Sequence, residues 1–345
     1  MKLPDLRDFD LTGKKVLLRA DLDVPLVRKT EDGRQKTVIT DETRIEESVP
    51  TINHLLSKKA KVIILAHLGR PEGKVVSELS LEPAARKLQE LLPEVNIKFQ
   101  GDEGEIILLE NLRFDPGEEN PSTNSGQEFT KKLASLGDFF VNNAFACSHR
   151  EHASIVGLPG LLPHAAGLDL LEEVGTLSKI LENPKRPMVV ILGGAKEDKL
   201  ETIGGLATWA DYILVGGKLP VFIQQRTENI QHREKILIAD LGKDGKDITL
   251  GTIEKFEEII KKAGTIVWSG PMGQYEIKEY ESGTKMIGEI VSESSGFKVI
   301  GGGDTEAALT KFGLIDKMSY ISSGGGAMLE FLANGDLPGL KALRE

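Results

Sequence analysis

Arginine and histidine side chains recur at the ends of short apolar runs in the first half of the chain. Arg19 leads into Asp21 and Asp23, His67 and Arg70 close the next run, Arg113 follows a third, and His149, Arg150 and His152 follow a fourth. Arg44 lies just before a helical segment. A guanidinium presents its donors in a rigid fork that matches carboxylate and phosphate oxygens, and each charge-assisted bond contributes about 1.5–3 kcal/mol. Any one of these arginines alone reads as a solvated surface residue. Recurrence at four run ends points instead to a small anionic ligand. His149 and His152 lack a third partner at metal-site spacing, so a metal centre there has little support, and His152 reads as a supporting or packing side chain.

Glycine takes over these positions in the second half: Gly193-Gly194, Gly216-Gly217, Gly270, Gly301-Gly302-Gly303 and Gly324-Gly325-Gly326. Glycine allows close backbone approach, and the free amides of a following helix favour phosphate oxygens. A single pair is ordinary turn punctuation; five such turns suggest a nucleotide. Lys196 and Lys199 of GGAKEDK stand beside one turn, where an ammonium neutralises a transferring phosphoryl group, although a surface lysine is the plain alternative. Asp304 follows three glycines and precedes Thr305, a position suited to magnesium and equally to a helix N-cap. Neither G-x-x-x-x-G-K-[ST] nor G-x-G-x-x-G with an acidic ribose ligand occurs, so the nucleotide site is of another design.

The elements that position these residues are legible as alternating runs and amphipathic segments. Runs at 14–20, 61–67, 105–111 and 138–144 in the first half, and 188–194, 211–217, 235–240, 265–270, 297–303 and 319–326 in the second, are apolar on both faces, as buried parallel strands are. Residues 45–59 and 81–92 have helical spacing, and 168–187 reads as one helix stopped by Asn183-Pro184. The fold class is α/β: two Rossmann-like three-layer α/β/α domains with mainly parallel sheets, joined by an interdomain helix. The expected boundaries are a domain over 1–167, a connector over 168–187, a second domain over 188–332 and a tail over 333–345. At 345 residues two cores are the default. The formal charge of -10 argues against a nucleic-acid partner, Cys147 as sole cysteine excludes an intrachain disulfide, and no apolar run spans a bilayer. A soluble, cytoplasmic protein is expected.

The blocks RADLDVPL, ITDETRI, AHLGRP, IILLENLRF, NNAFACSHREHAS, ILGGAK, VWSGPMG, GGGDT and SSGGGAMLEFL together resemble the phosphoglycerate kinase family, in the family's order and over most of the chain. The resemblance implies reversible, Mg2+-dependent phosphoryl transfer between 1,3-bisphosphoglycerate and ADP, giving 3-phosphoglycerate and ATP, by a cytoplasmic monomer whose domains close to align the reactants in line. Carried over by motif, Asp21, Asp23, Arg44, His67, Arg70, Arg113 and Arg150 bind the glycerate substrate, with Arg44 closest to the transferring group. Lys199, Glu276, Gly302, Gly303, Asp304 and Thr305 hold ATP or ADP. Asp304 serves the magnesium, Lys196 and Lys199 the phosphoryl group, and Glu276 the ribose hydroxyls. The tail is expected to pack toward the first domain.

Departures from the family pattern are specific. Asp23 stands where Asn is usual, Asn143 where Asp is usual, and Ser269 replaces the Asn of the WNGP block; GGAKEDK is one residue short. About fifty residues separate Gly216-Gly217-Lys218 from WSGPMG, where the family carries far more, and another stretch is missing before residue 105. The expectation is an intact phosphate end and a reduced base pocket. Two alternatives follow: a catalytically weakened member acting as a binding protein, and a related carboxylate kinase with altered substrate range.

Overall fold

The computed structural model describes residues 1–31, 34–101, 103–225 and 232–345. They form two compact units, Met1–Gly175 with Leu337–Glu345, and Thr176–Asp336.

In the first unit, Val-, Ile- and Leu-rich runs become the central strands, buried on both faces. The strands are β1 (Lys15–Arg19), a hairpin of β2 (Leu26–Glu31) and β3 (Arg34–Ile39), β4 (Lys61–Leu65), β5 (Ile97–Phe99), β6 (Ile106–Leu108), β7 (Phe139–Asn142) and β8 (His164–Ala166). The main sheet is parallel throughout, in the order β5-β6-β4-β1-β7-β8. The chain builds outward from β1 to β4 and then returns to β7 on its other side, so the order reverses at the β1/β7 boundary. Open parallel sheets bind ligands at such a point, beyond the strands' carboxyl ends. Helices Thr43–Ser57 and Glu82–Leu91 place Ile45, Ile52, Leu55, Ala85 and Leu88 against β1 and β4 side chains in one apolar core.

The second unit repeats the plan with β9 (Met188–Leu192), β10 (Tyr212–Val215), β11 (Ile236–Ile238), β12 (Thr265–Ser269), β13 (Phe297–Gly301) and β14 (Tyr320–Ser322). Its parallel order is β11-β10-β9-β12-β13-β14, which reverses between β9 and β12. Trp268 on β12 is fully buried and donates its indole N–H to the Gly270 carbonyl at 2.8 Å, pinning the turn that follows. The helix Leu168–Glu182 begins in the first unit and ends in the second. After Asp336 the chain re-enters the first unit, where the Gly339 amide donates to the Ser148 carbonyl at 2.9 Å.

The sequence pattern finds the buried strands but omits the β2–β3 hairpin, β5 and β8. These are short or carry alternating polar residues, and so lack the continuous apolar run that marks a central strand. Arg44, read as preceding a helix, is the second residue of the helix Thr43–Ser57. The shortened stretch after Lys218 includes residues 226–231, which lie outside the described residues.

Candidate functional site

The first unit gathers its charged groups at the β1/β7 reversal. Asp21 lies two residues beyond β1, and its Oδ2 accepts from Arg44 Nη1 at 2.8 Å. Arg44 occupies the first turn of its helix, where the dipole opposes a cation by about 0.3–1 kcal/mol. Asp21 offsets this and holds the guanidinium more firmly charged than usual. Asp23 Oδ1 accepts from the Gly69 amide at 2.8 Å, so the extra carboxylate is hydrogen-bonded in place. Its Oδ2 stands 3.8 Å from His67 Nε2. Arg113, 1% exposed, donates from Nη1 to the Gly69 carbonyl at 2.7 Å and points Nε toward Glu119 at 3.0 Å. Burial, with Arg150 and Glu119 acting against each other, leaves the Arg113 guanidinium below its usual pKa.

Arg150 donates to His149 Nε2 at 3.3 Å. Its charge helps keep His67 and His152 neutral, although burial is the larger cause in both, and His152 is lowered to about 3. The approaches of His152 to Glu118 and Glu119, 3.7 and 3.9 Å, are therefore contacts of a neutral ring rather than ion pairs. Arg70 is exposed just after the Gly69 turn. The result is a preorganised basin, most of whose cations are fixed before any ligand arrives.

Asp21, His67 and Cys147 bring an oxygen, a nitrogen and a sulfur within 4.8 Å of one another, the one such three-residue group among the described residues. It is poorly suited to a metal ion. Asp21 already accepts from Arg44, His67 Nδ1 contacts Arg19 at 3.0 Å, and burial pushes the Cys147 thiol up to about 11, leaving it protonated.

Asn143 lies behind the basin. Its Oδ1 accepts from Thr51 Oγ1 at 2.8 Å and from the Asp169 amide at 3.2 Å. Asp169 is itself raised to about 8, first by burial and then by Glu47 and Glu173. A neutral Asn143 keeps one more negative charge away from this acidic group, a physical reason for the amide at that position.

In the second unit the site is made largely of backbone. After β9, Lys199 donates from Nζ to the Gly193 carbonyl, the Ser269 carbonyl and Ser269 Oγ at 3.1, 3.1 and 3.2 Å, across the β9/β12 reversal. Burial lowers its ammonium to about 8, opposed by Asp304. Gly270 has φ +96, and a Cβ there would come 2.1 Å from the Gly193 carbonyl oxygen and 2.6 Å from Lys199 Nζ, so glycine is required. The Gly270 amide donates to Thr305 Oγ1 at 2.7 Å, and that hydroxyl donates on to the Gly301 carbonyl. Thr305 is thus a buried brace between two turns. The N-cap of the helix Gly303–Lys311 is Gly302, not Asp304. Asp304 sits exposed in the first helical turn beside open backbone amides, and Lys196 and Glu276 are exposed as well. A single exposed carboxylate at that place fits magnesium, which typically takes one or two carboxylates and completes its shell with phosphate and water.

Arg19 is one of the strand-end arginines visible in the sequence, with no binding role carried over to it, and Glu118 and Ser154 are not marked there at all, yet all three are fully buried at the basin. Glu118 lies in a polar loop and Ser154 in the π-helical turn Ala153–Gly157, where neither stands at a strand end. The available signal was Arg19 itself, a charged residue closing an otherwise apolar strand.

Two parallel sheets, one ending in guanidinium and imidazole groups and the other in glycine turns with a lysine and a carboxylate, define an α/β enzyme for phosphorylated ligands. The family model for phosphoglycerate kinase matches residues 6–235 and 220–335. The curated phosphoglycerate kinase of Thermosipho africanus is 40% identical over 401 residues, covering 98% of this chain and 97% of that protein. That of Pelotomaculum thermopropionicum is 36% identical over 397 residues, covering 98% of each. The structure of phosphoglycerate kinase from Coxiella burnetii matches with a TM-score of 0.79 at 34% identity, covering 99% of each chain. That from Pyrococcus horikoshii matches at 0.79 and 29% identity, covering 99% of this chain and 98% of that one. The chain belongs to the phosphoglycerate kinase family, kinases that transfer phosphate to a carboxylate. The alignments exceed the 345 residues of the chain, and the two family-model segments overlap at 220–235, as expected of a shortened member.

Proposed function

We propose that this protein catalyses reversible phosphoryl transfer between 1,3-bisphosphoglycerate and ADP, giving 3-phosphoglycerate and ATP, as a cytoplasmic monomer. The observation that carries this reading is the Arg44–Asp21 pair, which holds a guanidinium at the wrong end of a helix dipole inside a basin of buried cations. That arrangement costs stability and has its use when an anion arrives.

The acid substrate's carboxylate and phosphate oxygens accept from Arg70, Arg113, Arg150 and His67, while Arg44 faces the group in transit. Lys199 and the amides around Gly302, Gly303 and Asp304 receive the nucleotide phosphates, Glu276 the ribose, and Lys196 supplements the charge. Asp304 would hold magnesium, which would supply charge neutralisation on the phosphates. Transfer is direct and in line on closure of the two units, with no covalent enzyme intermediate; orientation and fixed positive charge lower the barrier. The helix Leu168–Glu182 serves as connector in this reading. Among the described residues no helix is long and apolar enough to cross a membrane.

Coupled assay of the purified chain with 3-phosphoglycerate and ATP over a magnesium titration tests the proposal. Metal-dependent turnover is the expected result, and negligible turnover at every magnesium concentration refutes it, leaving the weakened binding protein. Repeating the assay in the other direction with guanosine and inosine diphosphates tests the reduced base pocket. The expected preference for ADP is less than about tenfold in kcat/KM, in line with the small discrimination available from apolar packing.

A further inference from the structure

A chain of fully buried side chains runs behind the anion basin to His67. Glu118 accepts from the Ser154 amide at 3.0 Å and from Ser154 Oγ at 2.6 Å. Ser154 Oγ accepts from Arg19 Nε at 2.9 Å, and Arg19 Nη2 contacts His67 Nδ1 at 3.0 Å. Arg19 Nη1 also donates to the Ala20 carbonyl at 2.6 Å. Glu118, Ser154 and Arg19 are each 0% exposed.

The direction of every link is determined by chemistry. A guanidinium donates and cannot accept, so His67 Nδ1 must be the acceptor and carries no proton. Ser154 accepts from Arg19 and passes its own hydrogen to Glu118. The remaining proton of the neutral ring then lies on Nε2, the nitrogen facing Asp23 Oδ2 across 3.8 Å, beyond hydrogen-bond distance. That N–H is a donor turned toward the basin.

We propose that Glu118, Ser154 and Arg19 are positioning residues which hold His67 in the Nε2–H tautomer, making it a neutral hydrogen-bond donor to the acid substrate. The proposal rests on the assignment of the basin to that substrate. Burial, Arg19, Arg113, His152 and Arg150 all favour the neutral ring. Cys147 Sγ lies 3.7 Å from the same Nδ1, more distant than Arg19, while Asp23 faces Nε2 and Asp21 stands nearby. Glu118 is tied to Arg19 through Ser154 Oγ; burial pushes its carboxyl up, and the Arg19 charge and the Ser154 hydrogen bonds pull it back down. Without the Ser154 link the guanidinium keeps only its Nη1 bond to the Ala20 carbonyl and is drawn toward Glu118, away from Nδ1. The imidazole then loses the partner that selects its tautomer.

The test is a long-range 1H–15N spectrum of the full chain labelled at its six histidines, recorded without substrates. The expected result is an unprotonated Nδ1 and a protonated Nε2 on His67. In Ser154→Ala the ring shifts to mixed tautomers, the KM for 3-phosphoglycerate rises about tenfold, the loss of one charge-assisted bond, and kcat and the ADP KM change less than about twofold. Ser154→Thr, which keeps the hydroxyl, restores the single tautomer. A proton on Nδ1 in the unmodified chain overturns the proposal even if every variant fails to fold. So does a Ser154→Ala protein whose ring and KM are unchanged. If the basin serves another ligand, the unmodified protein shows no turnover with 3-phosphoglycerate while the spectrum still reports the tautomer, so the two failures are told apart.

Discussion

In the proposed function the anion basin and the glycine-rich edge share one task, holding phosphorylated ligands, and meet it with opposite materials. In the first unit the groups are side chains, deeply buried and bonded to one another: Asp21 to Arg44, Asp23 to Gly69, Arg113 to Gly69 and Arg19 to His67. In the second unit backbone turns provide the shape, Lys199 and Thr305 brace it, and Asp304, Glu276 and Lys196 remain exposed. Specificity for one acid follows from rigid, convergent donors, whereas phosphate recognition by amides tolerates variation in the side chains around it. A shortened second unit is therefore compatible with retained phosphate binding.

Arg44→Ala breaks the comparison most sharply. With the preorganised cation gone, turnover is expected to fall by about 10²–10³, the range for removing one electrostatic stabiliser, while the nucleotide Kd stays within about twofold. Steady-state kinetics and nucleotide titration of the same preparation measure both. A matching loss of nucleotide affinity means that the two regions do not divide the ligands as argued.

Lys199 probes the backbone-built side. The free enzyme's ammonium is lost as pH rises through about 8, so kcat/KM for ADP should decline above that point by roughly tenfold per pH unit. Stability moves the other way. The folded value lies below the unfolded value of 10.5, so between about 8 and 10.5 the unfolded chain binds more protons and this group favours folding increasingly as pH rises. A pH–rate profile and thermal melts over the same range separate the two trends, and Lys199→Met should flatten both. A profile without inflection near 8 removes Lys199 from phosphate binding.

Asp23→Asn is the gentlest change. The amide oxygen can still accept from Gly69, while one negative charge leaves the neighbourhood of an anionic substrate, about 1 kcal/mol at solvent-screened distances. The KM for 3-phosphoglycerate should fall roughly fivefold with kcat little altered. An increase in KM instead shows that the carboxylate itself helps to hold the substrate.

The two regions also differ in how far they could be read from the sequence. Strand ends announced Arg113, His67 and Asp304, because a parallel sheet places whatever follows a buried run at its carboxyl edge. Glycine turns were equally visible. Long-range partners were not: nothing local links Glu118 to Ser154, or Thr51 to Asn143, since these contacts join residues 36 and 92 positions apart. Short edge strands such as β5 and β8 escaped for want of an apolar run. The Thr305 hydroxyl is already taken up between the Gly270 amide and the Gly301 carbonyl, and the pattern of residue types does not say which hydroxyls the fold has engaged.

The return of Leu337–Glu345 to the first unit has a consequence for synthesis. Residues 1–175 leave the ribosome before all of their unit's contacts exist, since the Gly339 amide that meets Ser148 is made only after residues 176–336. A Cβ on Gly339 would approach Ile155, next to Ser154, so this late closure seals the turn behind His67. The unit begun first is thus completed only after the whole of the other unit has been translated.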